Sequence, residues 1–206
     1  MSNKINFKKA KDIEKILPKI NEILFERLDG DKKLTNLLIL LCGILNRTYE
    51  LAETVIWSIE SNRPISTAST VRGLYETLGY VTYLEMKLSR ATSSNEEIRE
   101  VINNALLGSR DSRTEYNQVN IMTCMDKATK VFPELRSSYE QICEVVHPNS
   151  SSHLNPFHVI EENNRNVRFE IPCYKFKNND REIFVNHAGE CCYHIIEICK
   201  RLIKKS

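Results

Sequence analysis

Residues Ile65–Leu84, ISTASTVRGLYETLGYVTYL, decide the fold. The stretch reads as helix throughout and carries only two charges, Arg72 and Glu76. A surface helix scatters Lys and Glu over its outer side. This one offers Ser, Thr, Gly and Tyr instead, so it is expected to be covered on most sides. Val71, Leu74, Leu78, Val81 and Leu88 repeat with three-four spacing and form its expected core face. Arg72, Glu76, Gly79 and Tyr83 fall roughly opposite. Two charges on a covered helix must be neutralised by partners or kept for chemistry.

Working outward, Ile13, Ile16, Leu17, Ile20, Leu24 and Leu28 give a helical period over 8–28, with Pro18 inside it and Gly30 at its end. A second helix is expected from 31 to about 61. Its apolar run LLILLCGIL, Leu37–Leu45, is half a membrane span and reads as a buried core segment. Asn62-Arg63-Pro64 breaks the chain before the central stretch. Downstream, a short helix stops near Leu107 at Gly108, and 109–118 is polar loop or the start of another helix. Helical patterns follow over 120–132 and 134–146, divided by Pro133. The second has Leu135, Tyr139, Ile142, Cys143 and Val146 inward and ends in His147-Pro148-Asn149. Alternation over 157–171 predicts a hairpin. The last helix, 181–203, is expected to bury Ile183, Phe184, His187, Ala188, Cys191, Ile195 and Ile198. The sum is an all-α fold: a helical bundle of five to seven helices with a small β-hairpin inserted before the last helix. One domain, 1–206, is expected, comprising the N-terminal helix 8–28, a core bundle 31–147, loop and hairpin 148–172, and the C-terminal helix 181–203.

Apolar residues make up 41% and charged residues 27%, an ordinary soluble composition. The net charge of +2 argues against binding nucleic acid by bulk charge, so any RNA contact needs a local patch. Seven cysteines are scattered without a Cys-x-x-Cys pair, and the first residues, MSNKINFKKAKD, carry no secretory signal. Free thiols in a cytoplasmic setting are therefore expected, with no membrane association. A Gly-rich phosphate loop, a Gly-x-Ser-x-Gly elbow and a paired-carboxylate motif are all missing.

Three constellations remain. Arg72 and Glu76 are either an intrahelical salt bridge or a functional pair. Arg precedes Glu, the less favourable order for a merely stabilising bridge, and the flanks are small or aromatic. His147 stands at a helix C-terminus, where the dipole favours imidazolium. It is either a capping residue or a general acid or base facing Arg72 and the loop hydroxyls. His153 and His158 lie in the same loop region. On the last helix, His187, Cys191 and His194 share a face, a weak metal signal without a fourth ligand. No metal and no cofactor is expected.

The segments VRGLYETLGYVTYL and SSYEQICEVVHPNSSSH, followed by a terminal amphipathic helix, resemble the HEPN-like superfamily. The similarity is to uncharacterised bacterial members with an Arg-x-x-x-Glu helix and a later Tyr-x-x-hydrophobic-x-x-x-x-His element. Here those positions are Arg72, Glu76, Tyr139 and His147, and the resemblance covers roughly residues 35–200. It implies a helical bundle that dimerises face to face. Many members are metal-independent ribonucleases of toxin–antitoxin, abortive-infection or CRISPR-linked defence. Their usual signature, an Arg with a His five to seven positions later, is met by Arg181 and His187, although Glu182 is an unusual residue after the Arg. The resemblance implies proton transfer by His147 or His187, a phosphate fork at Arg72 or Arg181, and Glu76 orienting the Arg. Tyr83, Tyr139, Asn149 and His153 are the expected binding residues around them. RNA, a second copy of the chain, and a protein partner or antitoxin are the expected partners. The alternative is a non-catalytic helical domain of the same family that binds a protein, RNA or a nucleotide.

Overall fold

The computed structural model describes residues 18, 22, 36–90, 95–109, 115–147, 158–163, 166–170, 176 and 180–205. Among them six helices follow in order: α1 Asn36–Glu60, α2 Pro64–Arg90, α3 Asn95–Leu107, α4 Ile121–Ala128, α5 Leu135–Val146 and α6 Asp180–Lys205. Pro18 and Glu22 are helical as well. Between α5 and α6, His158–Asn163 (β1) pairs antiparallel with Asn166–Glu170 (β2), with a register shift between Val159 and Glu161. No described helix is long and apolar enough to cross a membrane.

The turn between α1 and α2 follows from its three residues. Asn62 takes a left-handed backbone, φ +52°, which Asn tolerates better than most side chains. That lets the Arg63 N–H reach back to the Ser58 carbonyl at 2.7 Å. Pro64 then opens α2, where its missing N–H costs nothing.

The central stretch forms the middle of the bundle. α2 packs against every other described helix. Val71, Leu74, Leu78 and Val81 are buried as the spacing predicts, and Ala68, Tyr75 and Leu84 join them. Leu88, near the end, is half-buried. Thr67, Thr70, Thr77 and Thr82 are buried too. Each turns its hydroxyl back onto the carbonyl four residues earlier, at 2.7–2.9 Å. A helix can be covered on all sides without charges only if its polar groups are satisfied in this way.

The neighbours depart from expectation in specific places. The apolar run of α1 is buried on one side only: Leu38, Leu40, Leu41, Ile44 and Leu45 face inward, while Ile39 is 40% exposed and Gly43 is open. A helix against one layer buries a stripe of residues three to four apart with some of their neighbours, not an unbroken run. α4 is shorter than the 120–132 pattern. Asn120 caps it through the Met122 and Thr123 N–H groups. After Ala128 the Lys130 and Val131 N–H groups bond three residues back, at 3.2 and 2.9 Å, and tighten the chain ahead of Pro133. On α6, Ile183 is exposed, a correction to the inward set. The buried arc runs through Phe184, Ala188, Cys191, Ile195 and Ile198 and widens toward Val185, Cys192 and Cys199, which leaves Ile183 beyond its edge.

Two contacts fix how the helices cross α2. Arg201 of α6 grips Glu85 with both nitrogens, Nε to Oε1 at 2.7 Å and Nη2 to Oε2 at 2.9 Å. Gly79 lets α4 approach: a Cβ there would stand 2.4 Å from Met125 Sδ, whereas a Cβ at Gly43 would meet nothing within 4 Å. Gly79→Val is therefore expected to cost about 1–3 kcal/mol by overpacking. Gly43→Ala should raise stability by about 0.5–1 kcal/mol through chain entropy. Thermal unfolding of the two variants checks both signs.

Candidate functional site

Where α2 meets α5, three of the expected residues come together. Arg72 Nε donates to Glu76 Oε1 at 3.0 Å, and the Tyr139 hydroxyl donates to the same oxygen at 3.1 Å. The Arg72 guanidinium carbon stands 5.6 Å from the centre of the Tyr139 ring, over its face. The inward period of α5, which buries Leu135, Tyr139, Ile142 and Cys143, aims the tyrosine at α2. The side chains of Arg72 and Glu76 keep 31% and 25% of their surface open, so the cluster sits at a rim rather than in the core. Burial is the largest single influence and works against the Arg72 cation, but the bond to Glu76 together with the charges of Tyr139, Cys143 and Glu76 outweighs it, and its pKa lies above the usual arginine value. Burial, the neighbouring Cys143 and the Glu76 charge push the Tyr139 phenol up to about 12. The ensemble is a cation with one edge held by a carboxylate. Among the described residues the other edge, Nη1 and Nη2, carries no hydrogen bond. A guanidinium so oriented suits a phosphate or carboxylate.

His147 is exposed. Its backbone N–H closes α5 onto the Cys143 carbonyl at 2.8 Å. Cys143 lies near Arg72 and Tyr139 meets Glu76, so α5 runs opposite to α2 and His147 falls beyond Arg72. It is eight residues, about 12 Å of helix rise, from Tyr139. No hydrogen bond joins His147 to Arg72 or Glu76. Asn149 and His153 lie outside the described residues.

Arg181 and His187, the literal Arg-His spacing, make no hydrogen bond to each other. Six helical residues rotate two side chains about 120° apart, and Arg181 and His187 find different neighbours. Arg181 Nη2 donates to Asn62 Oδ1 at 2.6 Å and its guanidinium lies 5.5 Å over the Phe176 ring, bracing the α1–α2 turn. His187 Nδ1 is hydrogen-bonded to the Tyr75 hydroxyl. Burial lowers the His187 pKa, so a neutral ring accepting the phenol's proton at Nδ1 fits the pair. His194 packs against Phe132 with ring centroids 4.7 Å apart and the rings tilted by 51°, and Cys191 is buried in the core. Among the described residues no three His, Cys, Asp or Glu side chains gather closely enough to hold a metal.

Sequence reasoning passed over Tyr75 and Arg47. Tyr75 is the neighbour of Glu76, and Ser138, the neighbour of Tyr139, lies within hydrogen-bonding reach of it. Arg47 is the first charge after the apolar run of α1, which was its one available signal. Its Nε donates to Thr77 Oγ1 at 3.2 Å. Arg47, Glu76, Thr77 and Tyr80 line a cleft of about 520 Å³ bounded by α1, α2, α3 and the segment before α4. Tyr83 stands apart from the Arg72 cluster. It lines an adjoining cleft of about 560 Å³, with the Lys87 ammonium 5.7 Å over its ring.

Comparison with protein-family models, with curated proteins and with solved structures returns no match. The assignment of chemistry therefore rests on these side chains.

Two outcomes test the arrangement. Tyr139→Phe, which removes one donor from the Glu76 carboxylate, should lower stability by about 1–2 kcal/mol in denaturant titrations. His187 resists protonation when folded, whereas the unfolded chain takes up a proton near pH 6.5, so stability should fall as pH drops below about 6.5 and level off under the folded pKa. His194, also lowered by burial, adds to the same slope. His187→Gln should flatten part of the loss in melting temperature between neutral pH and pH 5.

Proposed function

We propose that this chain is a HEPN-like, metal-independent endoribonuclease in which Arg72 holds the scissile phosphate. The observation that carries the reading is the Arg72–Glu76–Tyr139 cluster at the α2–α5 rim. A salt bridge serving stability alone has no need of a third residue that locks its carboxylate, nor of a guanidinium edge that the described residues leave without a hydrogen bond.

RNA cleavage of this kind needs no metal. A base removes the proton from the 2′-hydroxyl, the oxygen attacks phosphorus, and the 5′-oxygen leaves as it takes up a proton, while a cation stabilises the charge on the phosphoryl oxygens. Arg72 supplies the cation and Glu76 with Tyr139 fix its direction. His147, on the side of Arg72 away from Glu76, is the proposed proton carrier. A second copy of the chain, packed face to face, is the proposed partner, and a role in toxin–antitoxin or antiviral defence belongs to the same proposal. The six described cysteines are unpaired, which accords with a cytoplasmic setting.

One observation favours a second reading, that of a non-catalytic domain binding RNA, a nucleotide or a protein: neither His147 nor His187 is hydrogen-bonded to Arg72 or Glu76. Labelled RNA incubated with purified protein separates the two. The nuclease reading expects cleavage that survives EDTA, drops at least about a hundredfold in Arg72→Ala and His147→Ala, and persists in His187→Ala. Intact RNA with retained wild-type binding, weakened by Arg72→Ala, would assign the chain to the binding class. Cleavage unaffected by Arg72→Ala would refute the central role of that residue.

A further inference from the structure

We infer that the cleft beside Glu76 is a nucleoside site, taking the base and ribose of the nucleotide whose phosphate lies on Arg72. The inference rests on the phosphate-holding reading of Arg72 and extends it to the part of the substrate that Arg72 does not touch.

Glu76 belongs to both places. Its Oε1 holds Arg72 and Tyr139, and the residue also lines the 520 Å³ cleft, which neither Arg72 nor Tyr139 lines. A group bound at Arg72 therefore has a recess next to it. About 520 Å³ lies within the usual range for small-molecule sites. One side is aliphatic, from Leu40 and Ile44 of α1, and the floor between them and solvent is left open at Gly43, where an added Cβ meets nothing within 4 Å.

The polar groups around this recess are held in place. Arg47 Nε donates to Thr77 Oγ1 at 3.2 Å, and the Thr77 hydroxyl donates to the Gly73 carbonyl at 2.8 Å, so the guanidinium is oriented through a side chain that is itself fixed. The Tyr80 hydroxyl donates to the Ala105 carbonyl at 2.6 Å, which sets its ring against the cleft. Asn104 Oδ1 accepts the Asn117 N–H at 3.2 Å, and among the described residues its amide nitrogen carries no hydrogen bond. Flat aliphatic and aromatic surface with a guanidinium plane and an amide at the edge is the environment in which unstacked RNA bases are held.

The test uses calorimetric titration of the full chain with inorganic phosphate, the four ribonucleosides and their 3′-monophosphates. At least one monophosphate is expected to bind about tenfold or more tighter than inorganic phosphate. Gly43→Phe, which projects a ring into open space, should erase that advantage and the nucleoside binding while leaving phosphate affinity within about twofold. Gly43→Ala should retain most of it. Gly43→Leu serves as the block if the phenylalanine variant shows a lowered melting temperature. Arg72→Gln should lose phosphate binding and keep the nucleoside. Nucleotides and nucleosides bound by a folded Gly43→Phe as tightly as by wild type would overturn the cleft assignment. Failure of every nucleoside to bind would do the same. Phosphate binding untouched by Arg72→Gln would overturn the reading of Arg72, whatever happens at Gly43.

Discussion

The carboxylate of Glu76 joins burial to chemistry in this fold. It lies on a helix that five others surround, where any charge must be matched or expelled. Its single oxygen Oε1 receives both the Arg72 Nε–H and the Tyr139 hydroxyl. That pair of bonds matches the two charges of the central stretch, ties α5 to it, and leaves Arg72 partly exposed at the rim. The surrounding structure depends on the same constraint. The buried threonines of α2 satisfy themselves on the preceding turn, Gly79 clears a path for Met125 of α4, and α6 is anchored at its far end by Arg201 on Glu85.

What could be read beforehand follows from how local each signal is. The covered character of α2 was visible because serines, threonines and tyrosines stand where surface charges belong. The break at Asn62-Arg63-Pro64 was visible because its backbone demands are those of its own residues. The resemblance named Tyr139 and Glu76 as motif positions, but their meeting, across 63 residues, carries no local signal and was not legible. The pairing of Tyr75 with His187, 112 residues apart, is longer-range still and was not legible. Arg181 and His187 match a signature by spacing alone, and the partners that the fold gives them, Asn62 and Tyr75, carried no signal in the sequence. Ile183 failed for a related reason, since an apolar residue at the margin of a buried arc looks like any other in a periodic pattern.

A structural ion pair and a phosphate clamp make different demands on the same two residues. Stability would be served as well by an apolar pair of similar volume, because desolvating two charges offsets much of their attraction. A clamp needs the cation retained, its direction fixed and part of it accessible, and that is the combination at Arg72. The adjoining cleft gives the arrangement a second half. In the proposed reading, Arg47 and Tyr80, held by Thr77 and Ala105, would receive the group attached to the phosphate.

The most direct measurement is the guanidinium NMR signal of Arg72, assigned by its disappearance in Arg72→Lys, followed as a short RNA is added. If Arg72 holds phosphate, its Nη resonances should shift and sharpen as rotation about the guanidinium is arrested, while the Nε–H, already bonded to Glu76, moves little. Unchanged Arg72 resonances at an RNA concentration that saturates the shifts of other residues would contradict the account and return Arg72 and Glu76 to a purely structural role.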